Sequence, residues 1–451
     1  MTSLADIAGD GFTNDYLWDL YEGLTDIGNR LTGSDGEHKS AALLRRRFEN
    51  AGLRDAHIEE YEAPTWERGS ASLRVDGNIS RAFDGSHEIL GLPGSPPETV
   101  EATVVDIGPG LPESFADHDV AGKIVLVSSQ NPPDYGRAMN RIEKYCLAEE
   151  HDAVGFLYYN DVPGCITPTG AIGFARDGTG TIPAAGITRE VSRRILRWLE
   201  RDSMTATLSI DATVDRGTSK NVEAVVGPDT DHEIIVSGHH DAHDIADGAR
   251  DNAAGTVLAA EVGRLLSNVD DLETSVRIIA FGGEETGLYG SHHWVQTHDP
   301  SSVKALVNLD GIGFSRSLRL GGDETIAEAF HSVGDELHVP VESEPGLSPF
   351  TDAWPFGREG VPVVVGRSAS EGSGQVVRYG HQEWGHTHAD TIDKIDQRDM
   401  RDLAIQLAAG VRELSSDAYQ PEHRTTETVH AELPAALNGY LERSGRLDRY
   451  L

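Results

Sequence analysis

The chain has 451 residues and a formal net charge of −36. That charge argues against nucleic acid or an anionic membrane surface as a partner, because phosphate recognition needs clustered Lys and Arg. The length predicts roughly two or three domains, and an apolar content of 38% is enough over such a length to bury a substantial core. Only six residues are Lys, the remaining basic residues being Arg. A carboxylate-rich, lysine-poor chain suits concentrated salt, where screening relieves self-repulsion, so a halophilic setting is expected. Cys146 and Cys165 do not make a disulfide framework and are expected as free thiols. The N-terminus lacks the basic and apolar regions of a secretory signal, and no long uninterrupted apolar window occurs. A cytoplasmic protein is expected, with homo-oligomerisation left open.

In chain order, "NDYLWDLYEGLTDIG" carries apolar residues at helical spacing. "NRLTGSDGEHKSAALLRRRFENAGL" reads as a glycine-rich turn followed by a helix that stops near Gly52. "HIEEYEAP" then reads as a strand. From about residue 70 short strand-like runs lie between Gly and Pro: "ASLRVDG", "ATVVDIG", "GKIVLVS" and "AVGFLYYN". One helix is expected before the last of these and another at "VSRRILRWLERD". This texture predicts a small α+β module. The rhythm then becomes α/β: apolar strands at "HEIIVSGHHD", "SVRIIAFGGEE", "VKALVNLDGIG" and "VPVVVGR" alternate with helices. Such strands predict a mostly parallel mixed sheet covered by helices on both faces. The domains are therefore expected at 1–69 (first segment of the α/β domain), 70–212 (inserted module) and 213–451 (main body with C-terminal helices).

In open α/β sheets ligands gather beyond the carboxyl ends of the strands. Here those ends carry His239, His240, Asp241, His243 and Asp244, then Glu284 and Glu285, then Asp310. Asp251 precedes a helix, and His386, His388 and Asp390 follow late in the chain. A His/Asp/Glu set without cysteine suits Zn, Mn or Co and argues against a closed structural zinc site. Carboxylates outnumber histidines, which suggests two ions sharing a bridging carboxylate. In that setting adjacent glutamates can divide their duties, one ligating and the other taking a proton from water.

These segments resemble peptidase family M28. The chain shows "HHD" at 239–241, "GARDN" at 248–252, "EETGLYGS" at 284–291, "NLDGIG" at 308–313 and "HTHADT" at 386–391, in the family's order. "RLTGSDG" is similar to an early family segment, and "GKIVLVS…AVGFLYYN…TIPAAGIT" resembles the protease-associated (PA) domain that many members carry as an insertion. The resemblance implies a zinc-exopeptidase fold with an inserted PA-like α+β domain. It implies two divalent metal ions, Zn2+ first and Co2+ or Mn2+ as alternatives, held by His239, Asp251, Glu285, Asp310 and His386, with Asp251 as the bridge. It also implies Glu284 as general base acting on a metal-bridging hydroxide, and Asp241 fixing the tautomer of His239. The Asp251–Asn252 peptide is expected to be cis.

The function so implied is an aminopeptidase acting on peptides. The alternatives are a carboxypeptidase, with Arg316, Arg319, Arg367 or Arg378 holding the substrate carboxylate, a single-zinc glutaminyl cyclase-like enzyme, and a catalytically silent receptor-like binder. His240 is expected to be a packed or exposed neighbour, His243 and Asp244 the rim of the site, and His388 exposed. Asp390 is expected to orient backbone near His386. His292 or His293 is expected to cap or pack, and Tyr379 and His381 are candidates for stabilising the oxyanion. Ala353 stands where the family usually has a histidine, so that histidine's role is absent.

Overall fold

The computed structural model describes residues 4–135, 137, 139–172, 179–369 and 384–444. Tyr379, His381 and Arg378, and part of the glycine-rich stretch 168–183, lie outside the described residues. The chain divides into two compact units. The first comprises residues 1–63, 218–385 and 390–432; the second comprises 64–217, 386–389 and 433–451.

The first segment supplies helices α1 (Leu4–Thr13), α2 (Tyr16–Thr25) and α3 (Asp35–Asn50). Ser34 caps α3 by accepting from the amide of Glu37, which satisfies one of the free donors at that terminus. Strand β1 (Arg54–Asp76) follows. It fuses two runs that the sequence separates, "HIEEYEAP" and "ASLRVDG", and passes through Pro64 and Gly69. Its counterpart β8 (Thr205–Val226) likewise joins "MTATLSIDATV" to "NVEAVVG". The two pair with each other, and that pairing satisfies backbone groups that local propensity would leave to turns.

The second unit holds β2 (Arg81–Phe83), β3 (Ile89–Gly91), β4 (Thr99–Asp106), α4 (Pro112–Asp117), β5 (Ile124–Ser128), α5 (Arg141–Glu150), β6 (Gly155–Tyr159), β7 (Ala184–Ile187) and α6 (Arg189–Leu199). Strands β4, β5, β6 and β7 pair in parallel, and β3 closes one side antiparallel. Alternate strand residues feed two cores, one around Leu126, Leu157 and Trp198, the other around Val125, Tyr145 and Phe156. Charges buried here have protein partners. Glu143 accepts two bonds from Arg137 at 2.8 Å and one from Arg443 at 2.6 Å. Lys144 donates to the carbonyl of Ser128 at 2.8 Å, and burial lowers its pKa to about 8. Cys146 is buried and Cys165 exposed, and neither forms a disulfide.

The main body of the first unit supplies β9 (Glu233–His239), α7 (Ala254–Leu266), β10 (Ser275–Phe281), α8 (Tyr289–Thr297), β11 (Val303–Leu309), β12 (Leu318–Gly322), α9 (Glu324–Leu337), β13 (Val341–Glu344), α10 (Ala353–Arg358) and β14 (Val363–Ser368). Its sheet runs β13-β12-β14-β11-β9-β10-β8. The central pairs β10/β9, β9/β11 and β11/β14 are parallel, while β8 and β12 join antiparallel. One face packs on α1, α2, α3, α7 and the helix Gln397–Ser415, the other on α8 and α10. Strands covered on both sides read as the near-continuous apolar runs seen in the sequence. A Cβ at Gly238 would stand 2.7 Å from the amide of Thr256, so glycine is what lets β9 close against the start of α7. Among the described residues no helix is long and apolar enough to cross a membrane.

Candidate metal centre

His239 is the last residue of β9 and is 1% exposed. Its Nδ1 meets the Asp241 carbonyl at 3.1 Å and the Asp241 carboxylate at 3.3 Å, which fixes the ring and leaves Nε2 as the outward donor. Nε2 faces Asp251 Oδ1 at 3.4 Å and Glu284 Oε2 at 3.8 Å. His239, Glu284 and Asp310 each bring one ligand atom within 4.8 Å of the others. Strand ends β9, β10 and β11 thus deliver to one point, joined by Asp251 from the irregular turn before α7. The Asp251–Asn252 peptide is cis, as the resemblance implies. Asn252 donates to the Leu309 carbonyl at 2.8 Å, stapling this turn to the end of β11.

Asp241 does more than orient a ring. Its Oδ1 accepts from the amide of Glu284 and its Oδ2 from the amide of Glu285, each at 3.1 Å. One buried carboxylate therefore fastens both members of the glutamate pair. Asp390 acts in the same way one turn across. Its two oxygens accept from the amides of Arg250 and Asp251 at 2.8 and 3.1 Å. The sequence points to Asp390 as orienting backbone near His386; the backbone it holds is that of the Asp251 turn.

Burial sets the electrostatics. Glu284 is pushed well above the usual carboxylate range by burial, relieved by His239 and reinforced by Asp310, Glu285 and Asp352. Asp310 is raised by burial and by Asp251, and Asp352 is raised to about 7, chiefly by burial. At His239 burial opposes the charged ring, but Glu284, Asp241 and Asp251 outweigh it and hold the pKa well above normal. Four acidic groups share one imidazole, and Arg250 and Arg367, which lower Asp310, offset them only in part. A divalent cation fits this donor set: imidazole nitrogen and carboxylate oxygens, converging and partly desolvated.

Glu285, its side chain 2% exposed, turns from this point toward His243, with Oε2 3.0 Å from Nε2. The sequence assigns His243 to the rim; the structure buries it against a proposed ligand. Its position depends on Arg30, a fully buried residue that donates to the carbonyls of Leu24, His240, Asp247 and Gly248 and so folds the 240–248 loop back on itself. Nothing in the local spacing of "HHDAHD" carries that information, although Arg30 lies in the early "RLTGSDG" segment. Asp352 is a second residue the sequence reading passes over. It is buried at 1% exposure, accepts from Ser291 at 2.5 Å, and adjoins Ala353, where attention falls on the missing histidine. His240 is a packed neighbour, held between Ser40 Oγ at 2.6 Å and the Lys220 carbonyl at 2.7 Å.

His386 opens the short stretch 386–389, which packs with the second unit. Its backbone is left-handed at φ 59° and its carbonyl accepts from the Thr169 amide at 2.9 Å. The residues on either side, Gly385 and Asp390, belong to the first unit and flank Asp251: a Cβ at Gly385 would stand 3.4 Å from Asp251 Oδ2. Of the arginines considered for a substrate carboxylate, Arg319 is tied to Glu342 at 2.6 Å, while Arg367 is felt electrostatically at Asp310.

A two-sided, mostly parallel sheet with carboxylates and histidine at its strand ends suits a metal-dependent hydrolase of α/β architecture. The comparisons agree. Residues 221–411 match the model of peptidase family M28, and residues 100–195 match that of the PA domain. Residues 221–411 thus form an M28-type peptidase region, and the segment ahead of it is of PA-domain type. It is 27% identical to aminopeptidase YwaD of Bacillus subtilis over 88% of this chain and 83% of that protein. It is 30% identical to carboxypeptidase Q of Rattus norvegicus over 62% of this chain and 60% of that protein. Among solved structures, a zinc aminopeptidase from Bacillus subtilis shares the fold at a TM-score of 0.69 and 23% identity, covering 90% of this chain and 97% of that one.

Proposed function

We propose that the protein is a two-metal aminopeptidase that removes N-terminal residues from peptides. The observation that carries this reading is the convergence of His239, Asp251, Glu284 and Asp310 at the strand ends, with Asp241 gripping the amides of both glutamates. In this reading His239, Asp251 and Asp310 would hold one ion. Asp251, Glu285 and His386 would hold the other, with His243 orienting Glu285. Zinc is the metal favoured by the mixed nitrogen and oxygen donors, with cobalt and manganese as substitutes. When bound, such a pair supplies Lewis acidity for activating water and polarising the scissile carbonyl.

The chain's own part follows from the geometry. Glu284, 3.8 Å from His239 and held by its amide, stays outside the ligand set and takes the proton from the attacking water. The low-polarity setting that raises its pKa suits it to keep that proton and pass it to the leaving amine. Asp251 retains 21% exposure of its side chain where His239 retains 1%, so the approach for substrate is from the Asp251 side. The acidic groups there suit a protonated N-terminus.

A second reading, a carboxypeptidase, draws on Arg250 and Arg367, both of which act on Asp310, and on the relative named carboxypeptidase Q. Peptides with free and with acetylated N-termini, or with free and amidated C-termini, separate the two. Cleavage that survives N-acetylation and fails on C-amidation overturns the aminopeptidase assignment. Glu284→Gln should keep its metal by elemental analysis while kcat falls about 10²–10⁴-fold, the usual span for a general base. Near-normal turnover in that variant would remove Glu284 from the role.

A further inference from the structure

On the sheet face covered by α8, away from the strand ends, a second group of ligand-type side chains lies together. Glu59 comes from β1, Glu223 from β8, and His298 caps the C-terminus of α8. Each offers an atom within 4.8 Å of the others. None belongs to the metal centre described above. The register sets the face: Glu223 lies opposite Ile279 in β10, and Ile279 packs with Trp294 of α8.

We propose that Glu59, Glu223 and His298 form an additional site for a divalent transition-metal ion such as Zn2+, serving to tie β1, β8 and α8 together. Three observations carry this. First, Glu223 is fully buried, and while its Oε2 receives Arg277 at 3.0 Å, its Oε1 has no hydrogen-bond partner among the described residues. Glu59 Oε2 is left in the same state. Buried carboxylate oxygens without partners are costly unless a cation completes them. Second, the local charge does not balance. Arg277 is shared between Glu223 at 3.0 Å and Glu233 at 2.9 Å, while Glu59 is met by the His293 imidazole, so one guanidinium serves two carboxylates and no fixed positive charge pairs with the third. The surplus of negative charge matches a divalent ion.

Third, His298 is arranged as a ligand. Its Nδ1 meets the Trp294 carbonyl at 3.1 Å, which places the proton there and leaves Nε2 with its lone pair. Its ring lies flat on Trp294, centroids 4.5 Å apart and planes 4° apart, so its direction is set. The carbonyl-rich end of α8 adds favourable potential for a cation. His293, stacked on Tyr61, donates to Glu59 Oε1 at 3.1 Å and steers the remaining oxygen inward. Nitrogen with two carboxylates favours zinc, cobalt or manganese over calcium.

The test uses the full-length protein dialysed in Zn2+, compared with His298→Asn and with the double variant Glu59→Gln/His298→Asn. Because His298 is exposed, the single variant is expected to fold as wild type by circular dichroism. Elemental analysis should find one zinc fewer per chain in both variants, with peptidase activity in added zinc kept within about twofold. Zinc-edge anomalous scattering from crystals should place a peak beside Glu223. The rise in Tm on adding Zn2+ should shrink in the variants, since an ion that binds only the folded state stabilises it. Equal zinc content in wild type and both variants, with no peak at Glu223, overturns the proposal. The difference in zinc count stands or falls independently of the catalytic reading, whose residues are unchanged.

Discussion

The inserted unit and the strand ends of the first unit treat buried charge in opposite ways. Around Glu143 the protein supplies its own countercharges, two guanidiniums on one carboxylate. Around His239 it gathers Asp241, Asp251, Glu284 and Asp310 against a single imidazole, and the carboxyl groups respond with raised pKa values. Both arrangements are desolvated, so the difference is not one of burial. A charge balanced from within is structural, whereas a surplus left in place anticipates a cation from outside.

The largest effect that sharpens this contrast is on folding. Glu143→Gln strands two arginines, and breaking a buried pair costs about 3–5 kcal/mol. Arg137 and Arg443 keep 27% and 24% side-chain exposure and can partly rehydrate, so the lower end of that range is expected. Chemical denaturation should register it, with bound metal per chain unchanged. A loss of metal instead would blur the distinction between the two regions. Next is Asp241→Asn, which sets an amide N–H against one of the two glutamate amides and removes a grip on the pair. Loss of such an outer partner typically costs 10–100-fold in metal affinity or activity. Turnover and metal titration should show that drop with little change in Tm; an unaltered enzyme would make Asp241 a bystander.

The smallest effect appears when metal is stripped. Asp352 is raised to about 7 by burial, and Glu284 and Asp310 are raised as well. The folded metal-free state then binds more protons than the unfolded chain between about pH 4 and 7. Its stability should fall as pH rises through that window, because stability decreases wherever the native state holds the extra protons. Melting of chelated protein at pH 6 and 8 checks the sign, the lower Tm being expected at pH 8. Zinc should restore more stability at pH 8 than at 6. The same chelated protein melting higher at pH 8 would mean that the crowded carboxylates are neutralised by something other than protons or metal.

Much of this arrangement could be read from the chain. Apolar strands that end in His239, Glu284 and Asp310 announce both the sheet and its reactive edge, because a parallel strand covered on both faces has to be apolar until it emerges. What escaped local reading depends on distance in sequence. His243 reaches Glu285 only because Arg30, more than two hundred residues earlier, reels in the intervening loop. The unbroken course of β1 past Pro64 is likewise decided by its partner β8, since propensity at Pro and Gly argues for a stop. Asp352 carries no periodic signal at all; its importance lies in what surrounds it.

Fastening two consecutive amides to one carboxylate has a bearing on cofactor exchange. Because the 284–285 backbone is pinned by Asp241 and not by an ion, the donor framework persists when one divalent species leaves and another enters. Interchange among zinc, cobalt and manganese would then alter the electronic demand on the reacting carbonyl while leaving the scaffold untouched, so a metal series read on a single substrate would report chemistry with little contribution from refolding.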